Sequence, residues 1–368
     1  MKSYFKNMKR TTKVDYATYA GVILAFIVVM ACQSLGLLNR QMTGMLVPIC
    51  AYICMALSLN LTVGILGELS LGHAGFMSVG AFSGIIVSMS LSQTVPNELV
   101  RLVLALVVGT LIAAVVGLIV GVPVLRLRGD YLAIVTLAFG EIIKDIINCL
   151  LVGWDERGLH FAFNFDGNQN IQSLGLSENG IEIIKGAQGA SGNDRIATFA
   201  VGFVLVMITL IVVLNLVRSR TGRAVMAIRD NRIAAESVGI NVTKYKLIAF
   251  VTSAALAGAA GALFGLNYAS VNAAQFDFNT SILVLVYVVL GGLGNMWGSI
   301  IATVVLYVLP EALRQFSDYR MLVYAIVLIL VMLATHNPIL RSFFTRLFRR
   351  EKEDGSAVRA VKGGGSHE

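Results

Sequence analysis

A chain of 368 residues that is 57% hydrophobic and only 14% charged exposes too much apolar surface for one water-soluble globule, since soluble chains average about 25% charged residues. Composition therefore excludes an ordinary soluble enzyme and indicates a polytopic membrane protein. The net charge of +8 reads as cytoplasmic loops facing anionic lipid and protein, not as a nucleic-acid surface.

In chain order, Lys2, Lys6, Lys9, Arg10 and Lys13 precede an apolar run over 16–38. That run is read as an uncleaved first helix entering from the cytoplasm rather than as a secretory signal. A span needs about 20 apolar residues. Further spans are expected at 43–65, 70–91, 99–122, 131–152, 197–217, 247–267, 280–294, 297–313 and 320–337. The eighth is short, and GGLGNMWG (Gly291 to Gly298) joins it to the ninth. The expected fold class is an all-α transmembrane helical bundle of about ten spans, with eight spans plus a re-entrant hairpin as the alternative. Both put the N- and C-termini in the cytoplasm. The domain scheme is a cytoplasmic segment 1–15, a transmembrane domain 16–337 and a disordered cytoplasmic tail 338–368. With this phase 21 Lys and Arg lie inside, seven lie outside, and Lys144 falls within a span, as the positive-inside rule requires.

Two loops stand out. Residues 153–196 are polar, rich in Gly, Asn and Gln, and external; they are too few for a core of their own and suit a small cap on the outer mouth. Residues 218–246, RSRTGRAVMAIRDNRIAAESVGINVTKYK, carry seven Lys or Arg against Asp230 and Glu236. Such a loop stays in the cytoplasm. Arg229, Arg232 and Glu236 follow helical spacing, with Arg232 and Glu236 an i, i+4 pair. Gly239 followed by Ile240 suits a left-handed helix stop. The spacing predicts a short surface helix ending near Val238; a solvated basic loop is the plainer alternative.

Gly80 and Gly84, Gly117 and Gly121, Gly261 and Gly265, and Gly294 and Gly298 form G-x-x-x-G pairs, read as close helix packing. Cys32, Cys50, Cys54 and Cys149 are read as small buried hydrophobes, with no metal site implied. The chain lacks a phosphate-binding loop, a dinucleotide fingerprint and a nucleophile–base constellation. ATP-driven work would need an ATPase on another chain.

Ionisable groups inside spans call for a functional hypothesis. Glu141 lies ten residues into its span with Lys144 and Asp145 beside it; it is either a site or a structural partner of Lys144. Glu68, Ser70 and His73 flank a Gly-rich turn. That turn is either a broken helix facing a solute path or a tight hairpin with His73 capping a helix. Asn60, Thr62 and Asn267 are polar groups in apolar runs, more simply interhelical hydrogen bonds than substrate contacts.

Four stretches in order carry a family resemblance: GELSLGHAGFMSVGAF (67–82), RLRGDYLAIVTLAFGEI (126–142), GRAVMAIRDNRIAAESVGIN (222–241) and VVLGGLGNMWGSIIA (288–302). Together they resemble the M-type permease of bacterial branched-chain amino-acid ABC importers. The resemblance implies a multi-pass protein of the bacterial inner membrane, with no cofactor of its own. A second homologous permease, two ATP-binding ATPase subunits and an extracytoplasmic solute-binding protein would be its partners. Leucine, isoleucine and valine would be the cargo. Urea or other small amides, or less readily ion-coupled secondary transport, are the alternatives. ABC importer permeases dock their ATPase through an E-A-A-x-x-x-G type motif. Here Ala234-Ala235-Glu236 precedes Gly239, in the order A-A-E. The implied coupling residues are Gly222, Arg223, Arg229, Asp230, Arg232, Ala235, Glu236 and Gly239. The substrate-path candidates are Glu68, Ser70, His73, Glu141, Asn60 and Asn267. GAQGASG (186–192) resembles the family's Gly-rich turn, whereas Trp154 to Lys185 departs from it.

Overall fold

The computed structural model describes residues 10–36, 39–127, 129–164, 174–176 and 180–313, with five more positions between 322 and 329. Most of the expected tenth span (all but those five positions), the tail from 338, the first nine residues and part of the 153–196 loop lie outside the described residues. The chain divides into two compact units at 304/305, and the first is by far the larger.

Helices dominate this first unit, because a backbone in lipid must satisfy its own hydrogen bonds. The described helices are α1 (Arg10–Ser34), α2 (Arg40–Asn60), α3 (His73–Ser90), α4 (Glu98–Val124), α5 (Asp130–Cys149), α6 (Phe199–Arg218), α7 (Arg220–Asp230), α8 (Arg232–Ser237), α9 (Val242–Gly265), α10 (Phe278–Gly291) and α11 (Met296–Ala312). Five are long and apolar enough to cross a membrane: α2 with its extension to Leu66, α3, α4, α6 and α9. Thr18–Ser34, α10 and α11 are shorter apolar helices. In α5 the charged residues Glu141, Lys144 and Asp145 interrupt the apolar run.

The core is built on small residues. Helix α9 packs against α3 and α4 at backbone distance. A Cβ on Gly80 would fall on the backbone of Gly258, and one on Gly261 would fall on the carbonyl of Met77. A Cβ on Gly117 would come within 2.5 Å of the Ala254 methyl. Larger residues would force these helices apart. Elsewhere the interior takes large side chains such as Met55, Met77, Phe250 and Tyr287, while Leu99, Val107, Leu111 and Ile119 on α4, and Val204 and Ile208 on α6, are exposed. Such exposed aliphatic faces fit lipid as the surrounding solvent.

The all-α expectation needs one correction. The stretch read as an external loop folds into strands β1 (Leu150–Asp155), β2 (Gly158–Phe163), β3 (Ile181–Lys185) and β4 (Ala190–Ser191), joined by β5 (Ser270–Val271) after α9. The sheet is antiparallel in the order β2-β1-β3-β4-β5. It begins directly at the end of α5, so the expected span 131–152 ends at Cys149. Arg101 at the start of α4 donates to Asp194 at 2.8 Å and ties the chain leaving the sheet to the bundle.

Two breaks position the site. Helix α2 widens after Asn60 into a π-helical turn, Leu61–Leu66, which ends at Gly67 with φ +78°. Irregular chain then leads to His73, where α3 begins. The central loop also differs from the single helix expected. Asn231, with φ −155° and ψ 105°, separates α7 from α8, so Arg229 does not share a helix with Arg232 and Glu236.

Candidate functional site

The central loop is folded by its caps. Ser219 Oγ accepts from Gly222 N at 3.1 Å and starts α7, while Asn231 Oδ1 accepts from Ala234 N at 3.0 Å and starts α8. Both satisfy donors that a helix start leaves free. A Cβ on Gly222 would fall on the carbonyl oxygens of Leu216 and Val217, so this close turn admits only glycine. Gly239 has φ +84°, and Ile240 N donates back to Ala235 O at 3.1 Å, which closes α8 in the way a left-handed glycine does. Ile228, Ala235 and Val242 bury one another, with Ile240 and Tyr245 packed on them. Outside this small core, Arg223 donates to the carbonyl of Arg218 at 2.9 Å, Arg229 pairs with Asp230 at 3.2 Å, and Arg232 Nε donates to Glu236 Oε1 at 2.9 Å.

Sequence reasoning did not single out Ile233 and Val238. They are 79% and 74% exposed, although the loop has an apolar core that could have taken them. The available signal was two large aliphatic residues flanking the polar face of Arg232 and Glu236.

The loop grips the interrupted helix. Arg229 Nη1 donates to the carbonyl of Gly64 at 3.0 Å, and its aliphatic stem lies against Gly67, where a Cβ would meet Cγ at 2.6 Å. Lys246, near the start of α9, is buried and forms an ion pair with Glu68, whose side chain is largely but not wholly covered. Glu68 is thus fixed by a partner that no local sequence pattern assigns to it.

Deeper in the bundle, Asn60 is wholly buried. Its Nδ2 donates to Ser299 Oγ at 2.8 Å and to Asn295 O at 3.3 Å, and its Oδ1 accepts from Gly294 N at 2.8 Å. It therefore holds the 291–298 glycine turn. Buried His73 sits with Nε2 at 2.8 Å from Ser58 Oγ. The start of α3 is satisfied from other helices: Leu71 N donates to Thr136 Oγ1 at 3.1 Å, and Ala74 N to Ser281 Oγ at 3.0 Å. Thr62 Oγ1 and Ser70 Oγ are buried without a hydrogen-bond partner among the described residues.

Asn60, Glu68, Ser70 and His73 thus gather around the helix break. Glu141 does not join them. It pairs with Lys144 on α5 and borders a cleft of about 170 Å³ with Leu71, Leu137, Phe276, Asp277 and Ser281. That free space is spread too thinly to hold a whole water. Asp277 caps α10 by accepting from Thr280 N at 2.9 Å. Burial works against its charge, but hydrogen bonds from Thr280 and Asn279, with Lys144 nearby, outweigh this and hold the carboxyl below the usual carboxylate range. Asn267 follows the far end of α9, about 30 Å along the helix from Lys246 at 1.5 Å per residue, and is not part of either group. Among the described residues no cluster of three or more His, Cys, Asp or Glu could hold a metal ion.

The description "Branched-chain amino acid transport system / permease component" fits residues 41–332, a stretch that includes the helix break, the central loop and the glycine turn. The chain belongs to this family. It is 36% identical over 295 residues to the high-affinity branched-chain amino acid transport system permease protein LivM of Salmonella typhimurium, covering 77% of this chain and 66% of that protein. Against LivM of Escherichia coli it is 35% identical over 289 residues, with the same shares. The chain thus spans just under two thirds of the length of these relatives. A shorter match, 34% over 125 residues, covering 33% of this chain and 40% of that protein, links it to the permease protein LivH of Salmonella typhimurium. No solved structure matches the chain.

Proposed function

We propose that this branched-chain permease-family chain is the membrane subunit of an ATP-driven importer for leucine, isoleucine and valine. The observation that carries the reading is the central loop. A short helix packs on Ile228 and Val242 through Ala235, while Ile233 within it and Val238 just past its end stand exposed. Exposed aliphatic side chains on a packed helix are what a groove on a partner protein takes up. The partner is an ATPase subunit, which supplies the ATP site that this sequence lacks.

The rest of the assembly follows from that role. A second homologous permease completes the pathway, a second ATPase docks on its loop, and an extracytoplasmic binding protein delivers the solute. The chain lies in a bacterial inner membrane with both termini and the 218–246 loop inside, residues 16–337 forming the transmembrane domain of about ten spans. Residues 153–196, with their sheet, face outward. Transport is alternating access between two packings of similar energy, biased by ATP on one side and by the loaded binding protein on the other. Apolar cargo needs few polar contacts, and the sparse ionisable groups of the bundle suit it. Asn60, Ser70, His73 and Glu68 lie along the solute path in this scheme.

The test is leucine uptake into vesicles that hold this chain with its co-encoded permease, ATPases and binding protein. Saturable uptake that needs internal ATP, and that isoleucine and valine compete, is expected. ATP-dependent uptake of urea or an amide alone would replace the substrate class. Uptake by this chain by itself, following an ion gradient, would overturn the importer reading and move attention to Glu141.

A further inference from the structure

We infer that Arg229 and the Lys246–Glu68 pair are positioning residues that carry movement of the docking loop into the interrupted helix and on to the 291–299 turn. The inference rests on the proposed role of the loop as the ATPase contact. Arg229 lies just before the segment that exposes Ile233 and Val238, and Lys246 lies just after it. Both reach the same five residues, 64–68: Arg229 through the carbonyl of Gly64 and the surface of Gly67, Lys246 through Glu68. The ATPase-facing segment is thus fastened at both ends to one short piece of backbone.

In this scheme that piece takes a second form when the loop moves. A π-turn closes i→i+5 hydrogen bonds and differs from an α-turn by one residue of register. Its carbonyl end carries partial negative charge, and the Arg229 guanidinium sits on it. Thr62 Oγ1 and Ser70 Oγ, on either side of the piece, are buried without partners among the described residues. They are hydrogen-bonding groups that this arrangement leaves unused and another can engage.

Gly64 transmits the motion onward. A Cβ there would fall on Asn60 Oδ1 and on Gly294 N, so Gly64 lies directly against the glycine turn whose amide Asn60 holds. The route is continuous: Arg229, Gly64, then Asn60 and Gly294, then Ser299. Two packed arrangements joined by such contacts are what coupling between distant sites requires. The Lys246–Glu68 pair keeps Glu68 from drifting when the loop pulls, because separating it would leave the buried Lys246 charge without its partner.

The experiment uses the assembled complex with its ATPases, partner permease and binding protein. Hydrogen exchange of residues 61–68 is measured with and without ATP, and leucine carried per ATP hydrolysed is measured in the same preparation. In the wild type, ATP is expected to change exchange at 61–68. In Arg229→Gln that response is expected to vanish and leucine carried per ATP to fall about tenfold, within the usual range of coupling between sites, while ATP hydrolysis continues. Arg229→Lys keeps the charge and the stem and is expected to recover part of both; it also serves if the glutamine variant does not assemble. Lys246→Gln is expected to resemble Arg229→Gln. A segment 61–68 that ignores ATP in the wild type, or that responds equally in Arg229→Gln, overturns the inference, and so does an equal fall in hydrolysis and uptake. A wild-type complex whose 61–68 segment responds to ATP but which carries no leucine rejects the proposed substrate, and loss of that response in Arg229→Gln then still supports the linkage while its persistence overturns it.

Discussion

Asn60 shows what a single polar residue does in this interior. It is wholly buried and makes three hydrogen bonds to the 291–299 turn. Leucine at this position would keep the volume but strand Gly294 N and take from Ser299 Oγ the donor it accepts from, leaving that hydroxyl only its bond to Asn295 O. We expect Asn60→Leu to lower stability by about 1–3 kcal/mol, the cost of stranding buried polar groups, read as a lower thermal midpoint in detergent; an unchanged midpoint would remove Asn60 from the framework. Its polar character in an apolar run was visible in the sequence, but its partner 239 residues away was not. The same holds for Glu68. A carboxylate beside a Gly-rich turn suggested either a solute path or a hairpin. Nothing in the local pattern pointed to Lys246, which belonged to the count of loop charges until the fold buried it. Glu141 and Lys144, three residues apart on one helix, were the legible pair because helical spacing alone brings them together.

At the scale of elements, the helices were readable from apolar length and the helix stop at Gly239 from the glycine and the aliphatic residue after it. The break at Asn231 was not, since an Asn inside helical spacing either continues the helix or caps a new one, and propensity barely separates the two. The sheet escaped for a different reason. LLVGWD continues the apolar run of α5 without a boundary, and short apolar runs do not distinguish strand from helix. Helix α8, the proposed ATPase contact, gives the prediction at this level. Ile233→Asp changes an exposed side chain, so the permease is expected to fold with stability altered by no more than about 0.5 kcal/mol. The ATPase subunits are nevertheless expected to be lost on co-purification. Retention of the ATPases at wild-type stoichiometry would show that the exposed aliphatic pair is not their anchor.

Over the whole molecule, the glycine seams of α3, α4 and α9 and the exposed aliphatic faces of α4 and α6 describe a body whose solvent is lipid. The proposed orientation sets Glu236 and Glu156 on opposite sides of it. With the native cysteines replaced, Glu236→Cys should react with a membrane-impermeant thiol reagent only from the cytoplasmic side, and Glu156→Cys only from outside. The opposite pattern would invert the topology. The start of α3 bears on how the chain is made. Its amides at Leu71 and Ala74 are satisfied by Thr136 and Ser281, and the second of these is 207 residues further along the chain. Synthesis at about 5–20 residues per second leaves a gap of roughly 10–40 s between the appearance of that donor and its acceptor. That amide meets its final acceptor only once α10 has emerged, so this contact at the start of α3 is a late one, and a chain cut before Ser281 lacks it altogether.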